Sequence, residues 1–446
     1  MAIDTPTAYR NLVIYEVYVR NHGSHGTFAD VVNDLERIRS MGVDVLWLMP
    51  IHPIGQLNRK GGCGSPYSIL DYRSINPEYG TIEDFKRLVE QAHRLGLKVM
   101  IDVVYNHTSH DSLLLQQRPE WFHQDSNGKP ITTVPEWADV IDLLHPNPEL
   151  WDYLINCLIG WVRLGVDGFR CDVASIIPVE FWKQAKQSVA REKSNMIWLA
   201  ESVHPDFIIE RRRQGLRAHS DGELYCVFDL TYDYDIWPVW QAVVKNELPL
   251  SRYLESLLLQ EAMYPDNSIK LRCVENHDQM RIMKLAPSFE QALAWTAFAA
   301  FNKGAFLIYA GQESAAVHTP SLINVDRIVW KDYPLQAYIT RLAQLKKMRE
   351  LGEGKFILLE GDETIQAAWI LDNKQMLYGI FNVKRVTNRV PVQLPDGVYE
   401  NILNDHQVEV VARSIQAPHD AVILRAKTSE GLREFSCKAI NYHALT

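Results

Sequence analysis

Between Leu12 and Ala310 the chain alternates short apolar runs with longer segments of helical spacing, and this alternation constrains its fold more than any other feature. A short run rich in apolar residues without strict alternation needs cover on both faces, as a strand of a parallel sheet has beneath helices. Eight runs have this character: Leu12–Val19, Val43–Met49, Leu97–Val104, Val166–Arg170, Met196–Ala200, Leu224–Phe228, Ser268–Val274 and Ala305–Ala310. Helical patterns separate them, among them Phe28–Met41, Ile82–Leu95, Leu150–Leu164 and Pro178–Ala190, the first two closed by Gly42 and Gly96. Eight strand–helix units predict an α/β fold, a (β/α)8 barrel of the TIM type.

The alternation breaks in two places. Residues 106–145 hold no clear strand–helix unit and are rich in His, Asp, Pro and Trp, so they read as a short inserted subdomain after the third strand. After Leu351-Gly352-Glu353-Gly354 the helical patterns stop and apolar and polar residues alternate in short runs. Turn signals stand at Asp372-Asn373, Pro395-Asp396-Gly397 and Asn404-Asp405. The expected organisation is a barrel in two parts, 1–105 and 146–352, around the insert 106–145, followed by a C-terminal antiparallel β-sandwich domain at 353–446. Residues 429–446 read equally as a last strand or a loose tail.

With 446 residues, 47 % of them hydrophobic and 23 % charged, the composition is that of a globular protein. A net charge of −9 disfavours nucleic acid as a partner. No apolar stretch is long enough to span a membrane, and the first ten residues lack a basic start followed by an apolar run. The six cysteines are scattered without a CxxC pair, which argues for reduced thiols and a cytoplasmic location, against a disulfide framework and against structural zinc.

Barrel enzymes carry their chemistry where strands end at the C-terminal face. The third strand ends in Asp102-Val103-Val104-Tyr105-Asn106-His107, the fourth in Arg170-Cys171-Asp172, the fifth in Glu201 and the seventh in Glu275-Asn276-His277-Asp278. Three carboxylates, Asp172, Glu201 and Asp278, are expected to converge there with two histidines and an arginine. Crowded carboxylates repel, which raises at least one pKa and leaves a general acid protonated near neutrality. Two carboxyls in such roles fit glycoside hydrolysis. Alternation does not separate Glu275 from His277, so the spacing leaves it a rival for the acid.

These four segments, in this order and on these strands, resemble the four signature regions of the α-amylase family of retaining α-glucoside hydrolases and transferases. The resemblance covers roughly residues 10–426. It implies Asp172 as nucleophile, Glu201 as acid/base and Asp278 as the group holding the sugar's 2- and 3-hydroxyls. It implies substrate binding by Tyr67, His107, Arg170 and His277, with Tyr67 as an aromatic platform. Asp102 and Asn106 take structural parts. Asn106 also matches a calcium ligand of many members. The short insert offers few companion ligands, so no cofactor is required and calcium stays open at Asn106.

The chain departs from the starch-cleaving pattern. Ser175 and Ile176 stand where such enzymes often have Lys-His. The stretch from Trp137 to Leu150 resembles the oligosaccharide-acting branch. The implied function is retaining hydrolysis of α-glucosidic bonds in maltooligosaccharides or related α-glucans. Transfer or isomerisation through the same glycosyl-enzyme is the alternative, and a non-catalytic sugar-binding barrel is a third. Arg59-Lys60-Gly61-Gly62 reads as a solvated turn, with a phosphate site as the sharper reading. Trp121, Phe122, Trp137 and Trp151 are candidates for stacking on sugar, and Gln312 and Glu313 for lining the mouth.

Overall fold

The computed structural model describes residues 5–361, 363–371, 375–427 and 432–436. Eight parallel strands close into a barrel: β1 (Val13–Val17), β2 (Val45–Leu48), β3 (Lys98–Val103), β4 (Gly168–Cys171), β5 (Ile197–Ala200), β6 (Leu230–Tyr232), β7 (Ile269–Arg272) and β8 (Ala305–Tyr309). Each pairs with its neighbours in sequence, and β1 closes the ring on β8 in the register Val13↔Phe306 to Glu16↔Tyr309. Apart from Lys98, which is half-buried, every strand residue is buried, as expected of strands covered on both faces.

The surrounding helices start where the sequence offers caps. Thr27 with Asp30 and Thr81 with Asp84 form reciprocal capping boxes at Phe28–Ser40 and Ile82–Arg94, satisfying backbone donors that the first helical turn leaves free.

Seven of the eight expected strands stand where the apolar runs lie. The sixth does not. Leu224 ends a short helix, Asp221–Leu224, begun by a capping box between Ser220 and Glu223, and the strand is Leu230–Tyr232. The apolar run was misleading because its side chains pack outside the sheet: Phe228 meets Trp182 at 5.3 Å. The true strand is bounded by Asp229 and Asp233, which hide its character, and the Tyr232 hydroxyl accepts a hydrogen bond from Arg170 Nε at 3.1 Å.

Within 106–145, His107–Ser109 pairs antiparallel with Val140–Asp142, so the excursion leaves and rejoins the barrel through one short ladder. Beyond the barrel, Lys355–Leu359, Ile365–Leu371, Gln375–Phe381, Ala421–Ala426, Gly397–Asn401 and His406–Val410 form, in that order, an antiparallel sheet. Arg389–Pro391 and Ser414–Gln416 form a second, two-stranded sheet sharing an apolar core with it through Val390 and Ile415. Residues 432–436 add an edge contact, Leu359↔Glu434. Met1–Asp4, the Asp372-Asn373 turn, residues 428–431 and 437–446, including Cys437, lie outside the described residues.

The helix Phe289–Phe301 lies between barrel and sheet and is buried at almost every position. Phe298 meets Phe381 at 5.2 Å, and Trp369 Nε1 donates to Phe301 O at 2.7 Å. One face of the C-terminal domain therefore braces the barrel. Among the described residues no helix is long and apolar enough to cross a membrane.

Candidate active site

The C-terminal ends of the strands open into a cleft of about 300 Å³ lined by Tyr67, His107, Arg170, Asp172, Glu201, His277 and Asp278. All seven sequence-expected residues meet there, from β3, β4, β5, β7 and the loop after β2. Strand pleating places Arg170 and Asp172 on one side of β4.

Arg170 is fully buried and organises the acids. Its Nη1 donates to Asp172 Oδ1 at 2.9 Å and to Asp102 Oδ1 at 3.0 Å. Its Nη2 lies 3.1 Å from Glu201 Oε1. The second oxygen of Asp172, Oδ2, is buried and has no hydrogen-bond partner among the described residues; His107 Nε2 stands 3.9 Å away. Glu201 Oε2 instead accepts the Val173 backbone N–H at 2.6 Å. Val173 takes a left-handed conformation, φ 36°, unusual for a β-branched residue and imposed where the chain turns straight after Asp172.

Burial raises the Asp172 and Glu201 carboxyls to about 7, with Arg170 pulling both down, Asp278 pushing both up, Asp102 adding to the rise of Asp172 and Asp172 to that of Glu201. Burial also raises Asp102, against Arg170 and His277. His277 behaves oppositely. Burial alone would lower it, but Asp278 and Glu16 together raise it to about 9, so it is a cation at neutral pH. Its Nδ1 bonds to Glu16 Oε1, and its Nε2 lies 2.7 Å from the Tyr67 hydroxyl and 3.2 Å from Asp278 Oδ2. The Tyr67 and His277 rings stack at 5.7 Å. Burial lowers His107 and keeps it neutral.

Several weighed residues fall outside the cleft. Glu275 accepts Arg281 Nη1 at 2.6 Å and the Ile282 N–H at 2.7 Å, so it holds a helix start behind the site. Glu313 accepts Arg37 Nη1 at 2.8 Å and the Gly311 N–H at 3.0 Å. Trp121 and Phe122 are core, and Trp151 donates to His145. Of those four aromatics, Trp137 alone lines the cleft, 5.5 Å from His107. Ser175 is buried and accepts the Val203 N–H through Oγ at 3.3 Å, while Ile176 joins an apolar cluster with Val173 and Ile208.

Sequence reasoning passed over Glu16, Asp139 and Tyr234, and it read Lys60 as part of a solvated turn, whereas Lys60 lines the cleft with its ammonium 2.7 Å from Asp139 Oδ1. Glu16 was visible as a lone carboxylate inside the apolar run of β1. Tyr234 accepts Asn276 Nδ2 at 2.8 Å and lies 3.5 Å from Asp278 Oδ2.

The alpha amylase catalytic-domain family matches residues 15–132 and 136–336, and the bacterial alpha amylase C-terminal domain matches 357–424. The chain belongs to the alpha-amylase family. Among alpha-amylase structures, one from Lactobacillus plantarum is 41 % identical, with a TM-score of 0.91 over 94 % of this chain and 99 % of that one. A maltogenic alpha-amylase from Thermotoga neapolitana is 33 % identical, with a TM-score of 0.85 over 95 % of this chain and 100 % of that one. The chain is also similar to an intracellular maltogenic amylase of Bacillus subtilis, 27 % identical over 82 % of this chain and 63 % of that protein. An alpha-1,4-glucan:maltose-1-phosphate maltosyltransferase of Cereibacter sphaeroides is 34 % identical over 44 % of this chain and 37 % of that protein. The chain thus spans about a third of the maltosyltransferases it matches.

Proposed function

We propose that the chain hydrolyses α-glucosidic bonds of maltooligosaccharides or related α-glucans with retention of configuration. The observation that carries this reading is the asymmetry between the two buried acids around Arg170. Arg170 donates a hydrogen bond to Asp172, which favours its charged form, and ties up Oδ1. Oδ2 is left free of donors and is the oxygen that attacks the anomeric carbon. Glu201 has no hydrogen bond from Arg170, whose Nη2 lies 3.1 Å from Oε1, and burial raises its carboxyl to about 7, which leaves it protonated in part near neutrality and able to serve as the acid. Glu201 then protonates the departing glycosidic oxygen and afterwards takes the proton of the incoming water.

The remaining residues hold the sugar. Tyr67 offers its ring face, and charged His277 and neutral His107 face its hydroxyls. Asp278 accepts from hydroxyls of the reacting ring and favours its distortion. The relatives named above as alpha-amylases and maltogenic amylases support a hydrolase. Five cysteines among the described residues are unpaired, and one relative is named intracellular, which supports a cytoplasmic setting.

A second reading, transfer to a sugar hydroxyl, rests on the apolar wall beside Glu201. Trp137 stacks on Phe207 at 6.3 Å, near Val173, Ile176 and Val203. Such a wall sheds water and suits a sugar acceptor.

No calcium enters the proposal, on the chemistry of the donors around Asn106. Asp142 Oδ2 already accepts the Thr133 N–H at 2.7 Å and the Thr133 hydroxyl at 2.5 Å. Arg211 reaches into the same small cavity and donates to Thr133 Oγ1 at 3.1 Å. A guanidinium beside a satisfied carboxylate does not suit a second cation.

The test is product analysis of maltohexaose with Asp172→Asn in parallel. Shorter sugars only, absent with the variant, are expected. Shorter and longer sugars together make the enzyme a transferase, and an active variant removes the nucleophile assignment.

A further inference from the structure

The turn Asn58–Gly62, a basic, glycine-rich stretch, is built into the end of the cleft. On one flank, Lys60 Nζ lies 2.7 Å from Asp139 Oδ1 and donates to Glu136 O at 3.0 Å, both in the insert. On the other flank, Cys63 N donates to Ile323 O at 2.9 Å, and Gly62 N to Asn324 Oδ1 at 2.8 Å, in the loop after β8. The approach there is close. Gly61 has φ +63°, and a Cβ on it would stand 2.6 Å from Ile323 O. Arg20 Nη1 donates to Gly64 O at 3.1 Å and to Leu322 O at 3.3 Å, joining the same two loops from beneath.

Barrel topology says which end this is. The loops after β2 and β8 meet in front of β1, which lies between those two strands. In a ring of eight, β5 lies opposite β1, and Glu201 ends β5. The leaving part of the substrate lies on the side of the proton donor, so the joined loops stand at the other end, where the glycone's non-reducing terminus points.

We propose that Lys60, clamped to Asp139, closes the glycone end of the cleft and makes the enzyme an exo-acting one that recognises the non-reducing chain end of an α-glucan. This rests on the hydrolase reading above. A lysine ammonium carries three donors; Lys60 gives one to Glu136 O and is held as an ion pair by Asp139. Because Lys60 also lines the cleft, a remaining donor is available to the terminal sugar's hydroxyls. A chain continuing past that sugar would have to part the ion pair and the two hydrogen bonds to Ile323 and Asn324. Lys60 is thus a specificity residue.

The experiment compares 4-nitrophenyl maltoheptaoside with its analogue whose non-reducing O4 and O6 are tied in an ethylidene acetal. Wild type is expected to cleave the free-ended substrate with a kcat/KM roughly 100-fold above that of the blocked one. Lys60→Ala and Asp139→Asn are each expected to narrow that ratio to below about 10, and Lys60→Arg, which keeps the clamp, to preserve it. Equal cleavage of both substrates by wild type overturns the proposal. So does an unchanged ratio in folded Lys60→Ala and Asp139→Asn. If neither substrate is cleaved, the hydrolase reading fails first and takes this inference with it.

Discussion

Arg170 Nη1 donates to Asp172 Oδ1 at 2.9 Å, and Asp172 Oδ2, in the same buried site, has no hydrogen-bond partner among the described residues. One oxygen of the carboxylate is held and the other is free to react. Asp172→Asn removes the nucleophile while keeping an acceptor for Arg170. Its kcat on maltohexaose is expected to fall by ~10³-fold or more, with the fold unchanged by circular dichroism. Activity within tenfold of wild type would falsify the assignment.

The same substitution has an expected effect on stability. An unfolded carboxyl loses its proton at about pH 4. In the folded chain burial delays this to about 7, so ionisation above pH 4 weighs against the fold. The penalty is absent below about 4, grows towards 7 and is constant above. Asp172→Asn therefore raises Tm at pH 8 by about 2–4 °C, and the gain vanishes near pH 4. An identical gain at both values contradicts the burial argument.

Glu201→Gln separates the proton donor from the nucleophile. Hydrolysis of maltohexaose is expected to slow 10²–10⁴-fold, roughly the range of a general acid. Glucosylation by α-glucosyl fluoride, whose leaving group needs no proton, should be affected far less. Equal losses on both substrates reassign Glu201 to a positional role.

His277 is held charged by Asp278 and Glu16, up to about 9. A raised histidine contributes stability fully below its unfolded value of about 6.5, and this is lost as pH rises through 9. KM is expected to climb on the same alkaline limb. His277→Asn removes a charged hydrogen bond of about 1.5–3 kcal/mol, ten- to hundredfold in kcat/KM. A variant whose KM keeps the parent's alkaline limb assigns that limb to another group.

Arg211 stands beside Asp142 through their shared partner Thr133. Arg211→Ala is expected to lower stability by about 1–3 kcal/mol, and added calcium not to restore it. A chelator should leave the parent's Tm unchanged. A fall in Tm on chelation, recovered by calcium, would show that the cavity takes the ion after all.

The barrel was legible because strands such as β2, β5 and β8 are apolar or aromatic at every position and recur between helical patterns, an arrangement few other environments allow. β6 escaped because it is three residues long, bounded by Asp229 and Asp233, while the apolar run beside it packs on Trp182. The acids, His107 and His277 were readable because each follows a strand, where the chain has to emerge at the mouth. Glu275 shows the limit of that logic: it stands two residues from His277, yet Arg281 draws it behind the site.

Residue order along the strands dictated the architecture and the set of groups at the mouth, since alternation and strand length are local properties. The division of labour among those groups was decided in three dimensions. Which oxygen of Asp172 is free, which partner charges His277, and which loops meet over β1 all depend on contacts between residues far apart in the chain. Glu16 and His277 are 261 positions apart, and Lys60 meets Asp139 only once the insert has folded back over the barrel. Burial then shifts the proton affinities of groups that would titrate normally in the unfolded chain, and it comes from packing that no local stretch contains.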